Sequence, residues 1–156
     1  MKNTHLLFAG LVLTVAIPVF ASVGRLKPHQ KFESKISLDE ESDTKALALI
    51  HTKCFNCHNP DMKAETRLAP PMHMVREHYY TSEINKAEFV NQITNFVMEP
   101  TAEKSVMSGA VRNFGLMPKS IFEESEIEII AAYIFDNDLA SDGWYKKWKK
   151  FKQTIQ

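Results

Sequence analysis

Two cysteines and a histidine carry the chemistry legible in this chain: Cys54-Phe55-Asn56-Cys57-His58. Cys-x-x-Cys-His is the attachment signature of c-type haem, in which two thiols add across vinyl groups and the adjacent imidazole binds iron from the proximal side. Two intervening residues on a helical turn hold both sulfurs along one porphyrin edge, and the histidine then lies under the metal. The chain has only these 2 cysteines. A structural zinc site wants four thiol or imidazole ligands at matched spacings, and no second cysteine pair exists to complete one. A thioredoxin-like dithiol wants a βαβ context that the neighbouring sequence does not offer. The expected cofactor is therefore one haem c, attached through Cys54 and Cys57, with His58 as an iron ligand.

An iron that only passes electrons has both axial positions filled, so a distal ligand is expected far from His58. Of 7 methionines, Met1 leaves with a leader, Met62 is too near His58 to pass round the porphyrin edge, and Met98 reads as core. Phe114-Gly115-Leu116-Met117-Pro118 is different: glycine gives the backbone room, and proline stiffens the chain just past the sulfur. Met117 is the expected ligand, with Met107 as the alternative. Met72 and Met74 follow a double proline and read as apolar wall. His73 and His78 read as surface or supporting residues, though either could make the iron bis-histidine. His51 is expected to face solvent, and His29 carries no signal.

The elements that must position these groups are helices. Ser42-Asp43 is expected to cap a helix running through Ala46, Leu47 and Ile50 into Cys54. Asn59-Pro60-Asp61 is turn chemistry, and Ala69-Pro70-Pro71 cannot occupy a helix interior. A short helix fits Met72 to Tyr79. Asn85-x-x-Glu88 is a capping box opening a helix with Phe89, Val90, Ile93, Phe96 and Val97 on one face, stopped by Pro100. A shorter segment starts at Thr101-x-x-Lys104 and ends near Gly109. A last firm helix spans about Glu123 to Phe135, with Ile127, Ile130, Ala131 and Ile134 inward and acidic residues at its positive end. No stretch alternates with period two, so the expected class is all-α, with helices around a planar cofactor.

Here the chain resembles the small bacterial class I cytochromes c with a single haem. The resemblance rests on Cys54-Phe55-Asn56-Cys57-His58, on Gly115-Leu116-Met117-Pro118 and on Ala131-Ala132-Tyr133-Ile134, and spans roughly Ser42 to Asp138. It implies that the N- and C-terminal helices cross and that Met117 is the sixth ligand. It also implies a proline-loop carbonyl holding the second ring nitrogen of His58, a nitrogen that any ligating imidazole needs fixed. Pro70 stands at the expected place, with Pro71 as the alternative. Arg76, Tyr79, Tyr80 and Trp144 are weaker candidates for the propionates.

The flanks speak to compartment and partners. Met1-Lys2-Asn3, the mostly apolar run from Leu6 to Phe20, and Ala21 read as a cleaved signal peptide over residues 1–21, hence a periplasmic protein. Residues 22–41 read as a polar, extended arm, 42–141 as the haem domain and 142–156 as a basic aromatic tail. Formal net charge is +0, but unevenly spread: Ser22 to Ser141 holds 13 basic against 18 acidic residues, while five lysines and one aspartate follow. A net positive charge confined to one short tail, rather than spread across a folded face, argues against nucleic acid. Trp144, Trp148 and the interleaved lysines read either as a strip for an acidic partner or a transient membrane-surface contact, or as a segment folded back on the body.

No paired carboxylates, Ser-His-Asp arrangement or phosphate loop is recognisable. The expected role is a monomeric one-electron carrier meeting redox partner proteins, not an enzyme. The rival roles are a haem-based gas sensor with a labile distal ligand and the haem subunit of a larger redox enzyme.

Overall fold

A computed structural model describes residues 28–155, with side chains from residue 39 onward. The expected leader, 1–21, lies outside the described residues. Within them the chain is all-helical: six α-helices and one 3₁₀ turn, Ala64–Thr66, with no strand. None of these helices is long and apolar enough to cross a membrane.

α1 spans Pro28–Lys53, so the segment expected to be extended is helical from Pro28 onward. The physical reason is that proline fits a helix's first turn, and no glycine or proline follows it before Lys53. Ser42 and Asp43 therefore lie inside the helix rather than capping it. α2, Met72–Tyr79, begins directly after the double proline. α3, Lys86–Met98, has both halves of its capping box, with the Asn85 side chain accepting from Glu88 N–H and the Glu88 carboxylate accepting from Asn85 N–H. α4, Ser108–Phe114, lies later than the expected segment, because Thr101 Oγ1 accepts from Lys104 N–H in a turn that goes no further. α5 spans Glu124–Asp136. α6 spans Asp142–Thr154.

α3 packs along α5 more extensively than any other pair, and α1 covers a further side of α5. Phe89 and Ile93 of α3, Ile127, Ile130 and Ile134 of α5, and Ala46, Leu47 and Ile50 of α1 are the buried centre. Each large aliphatic or aromatic chain taken from water here contributes on the order of 1.5–3 kcal/mol. Arg76 of α2 ties two elements together by donating to the Ile134 and Phe135 carbonyls at 2.9 and 3.4 Å. A cation there satisfies open carbonyls at the negative end of α5.

The tail folds back. Trp144, Trp148 and Phe151 are buried, at the i, i+4, i+7 spacing of one helix face. Trp144 Nε1–H donates to Tyr133 Oη at 3.1 Å, and Ser141 Oγ caps α6 through Trp144 N–H. Trp144, Trp148 and Phe151 thus face the body, while Tyr145 stays exposed.

Candidate functional site

Hydrogen-bonded turns carry the end of α1 through the attachment motif: Cys54 N–H and Phe55 N–H both donate to Ile50 O, and Cys57 N–H and His58 N–H to Cys54 O, at 2.9–3.2 Å. Cys54, Cys57 and His58 thereby reach one cavity, whose other walls come from the 68–72 loop, α2, α3, α4, the Gly115–Pro118 loop and α5. Its centre admits water-sized spheres over about 210 Å³, and the space between the walls, open mouth included, is about 1250 Å³. The lining is mainly apolar, with Val75, Ile93, Val97, Phe122, Ile127 and Ile130 among its residues.

His58 is oriented by the 70s loop. Its Nδ1 lies 2.6 Å from Pro70 O. A carbonyl can only accept, so Nδ1 carries the proton and Nε2 keeps its lone pair. The His58 carbonyl in turn accepts from Met72 N–H at 3.3 Å. Burial lowers the pKa of His58, against a smaller raising effect of the Pro70 hydrogen bond, so the ring is held neutral. The Cys54 thiol is pushed up to about 12 by burial, which keeps it from ionising. Neither cysteine is in a disulfide.

Cys54, Cys57, His58, Pro70 and Met117 all line this cavity. Met117 is half-buried in the loop after Gly115. That glycine ends α4 at φ 80° and ψ 176°, a region essentially reserved for glycine. A Cβ there would meet nothing within 4 Å. Backbone conformation, not room for a neighbour, is therefore what requires glycine at this turn. Met72 and Met107 also line the cavity and are buried at 5% and 8% exposure. Met62, Met74, Met98, His73 and His78 are not among its lining residues. His78 Nδ1–H instead donates to Met74 O at 2.8 Å.

Several supporting residues differ from expectation. His51 is half-buried with its ring 5.5 Å from Trp148, not solvent-facing. Of the four propionate candidates only Tyr79 lines the cavity; Arg76 and Trp144 use their donors on α5. Phe122, Val111 and Ala110 contribute walls that no motif announced. The 3–4 spacing of Trp144, Trp148 and Phe151 was the available signal for α6. Nothing in the local pattern pointed to Asp61 as the place where its lysines converge.

Comparison with models of known families, with curated proteins and with solved structures finds no match for this chain.

Proposed function

We propose that this chain is an exported c-type cytochrome with a single haem, carrying one electron at a time with His58 and Met117 as iron ligands. The observation that carries the reading is the His58–Pro70 bond in a cavity that also gathers Cys54, Cys57 and Met117. A histidine ligand needs its far nitrogen held by an acceptor, and this one has it. The donor set fits the group: two neighbouring thiols, a neutral imidazole, a thioether, and an apolar enclosure open at one side.

Covalently held haem supplies a one-electron ferrous–ferric couple. The chain's residues define its surroundings. Cys54 and Cys57 would hold the group through uncharged thioethers, compatible with the burial that disfavours a Cys54 thiolate. Pro70 holds the His58 ring plane. Met117 supplies a soft ligand that favours the reduced form relative to a second imidazole. The aliphatic walls exclude water, and the partly exposed rim, Leu68, Phe114 and Leu116, leaves an edge for brief contact with redox partner proteins.

One observation favours the sensor reading as a second choice: Met117 sits between exposed Leu116 and Pro118, on a loop from which a ligand could detach. Absorption spectra of the purified protein and Met117→Ala separate the two. The carrier gives a ferric sulfur-to-iron charge-transfer band that Met117→Ala abolishes. A high-spin ferrous protein that takes up carbon monoxide readily supports the sensor. Protein that is colourless after expression with a haem-maturation system, or that loses its pigment to acidified organic solvent, overturns both.

A further inference from the structure

We propose that α6 clamps the attachment segment, with Asp61 as a positioning residue through which Tyr145, Lys149 and Lys152 fix the turn that follows His58. The role assigned to the clamp rests on the cofactor reading above; the contacts that form it do not.

Asp61 lies three residues beyond His58, and its carboxylate collects donors from one face of α6. Tyr145 Oη–H donates to Oδ1 at 2.6 Å, Lys152 Nζ to Oδ2 at 2.8 Å and Lys149 Nζ to the same oxygen at 3.2 Å. The turn is further fixed where Asp61 N–H donates to Asn59 Oδ1 at 2.8 Å. Charge-assisted bonds converging on one carboxylate with 20% exposure are stronger and better ordered than an isolated surface pair.

A second contact reaches the motif itself. Trp148 packs edge-to-face with Phe55, the residue between Cys54 and Asn56, with ring centroids 4.8 Å apart at 83°. Phe55 and Trp148 are 4% and 1% exposed. The attachment segment is thus gripped from two sides, by the 70s loop through Pro70 and Met72, and by α6 through Asp61 and Phe55. A shift of the His58 ring within the cavity would require one grip to yield. Trp144, Trp148 and Phe151 are the buried residues of α6, whereas Tyr145, Lys149 and Lys152 meet Asp61, so the Asp61 cluster can be removed while the core stays filled.

The test uses the full chain as purified. In Asp61→Asn, and separately in the Lys149→Gln/Lys152→Gln double variant, hydrogen exchange of amides in residues 54–62 should quicken about tenfold, the scale of one charge-assisted bond. Exchange in α3 and α5 should stay as in wild type, and Asp61→Glu should restore protection. The same two variants should take up carbon monoxide faster in the ferrous state and show a weakened charge-transfer band. Asp43→Asn, which breaks the pair with Lys147 earlier on α6, should change neither readout. Unchanged exchange over 54–62 in both Asp61-cluster variants, or an equal change in Asp43→Asn, overturns the clamp. Altered exchange with unaltered carbon monoxide uptake overturns the positioning role. Preparations without covalent pigment would sink the cofactor reading instead, while the exchange comparison would still decide whether the clamp exists.

Discussion

His58 is fixed at both ends of its freedom: the ring by Pro70 O and the main chain by Met72 N–H. In the proposed c-type cytochrome its counterpart is Met117, and there the choice of thioether has a measurable sign. Met117→His should lower the reduction potential, because imidazole stabilises the ferric form relative to thioether; a redox titration of the two proteins checks this. Gly115→Ala should destabilise the fold by about 1–3 kcal/mol, since alanine is strained at φ 80° whatever space surrounds it. Chemical denaturation measures that loss. The glycine's place in the Phe114–Pro118 segment was readable in sequence, but its cause was not: a one-dimensional string shows that glycine is present, not the sign of φ.

At the scale of elements, local signals served best where one residue type has one mechanical meaning. The Asn85/Glu88 box and the double proline before Met72 set helix starts at the expected places. Asn85→Ala should cost about 1 kcal/mol, the usual value of a lost cap, read as a lower melting temperature. The start of α1 was not legible, because a polar stretch without breakers suits a helix and an arm equally well. α6 was half-legible: the aromatic spacing was visible, but which surface would receive it is decided by Phe55 and His51, far away in sequence. Trp148→Ala should destabilise by about 3–5 kcal/mol, the cost of emptying a buried aromatic site, and should expose Phe55 to solvent. A loss below about 1 kcal/mol would mean that α6 is dispensable to the fold.

The molecule as a whole pairs an acidic body with a basic last helix. Burial works to raise the pKa of Asp61, but hydrogen bonds from Lys152, Tyr145 and Lys149 outweigh it and bring it down to about 2. A folded pKa below the unfolded one adds stability that is complete above the ordinary carboxylate value near 4. It is lost as pH falls through about 2. After discounting for the exposed lysine ends, the contribution is about 1 kcal/mol. Wild type should therefore exceed Asp61→Asn in denaturation free energy at about pH 6, and the gap should close near pH 2. The five site residues expected from sequence do share one enclosure, but walls such as Phe122, in the loop before α5, carry no motif that would announce them.

The pairing of Lys147 with Asp43 and of Lys149 and Lys152 with Asp61 also bears on how the protein behaves on a column. With three of its five lysines answered from within, the last helix makes a poorer ligand for a sulfonate resin than its composition suggests. Elution from such a matrix should come earlier than for an unstructured peptide of the same fifteen terminal residues.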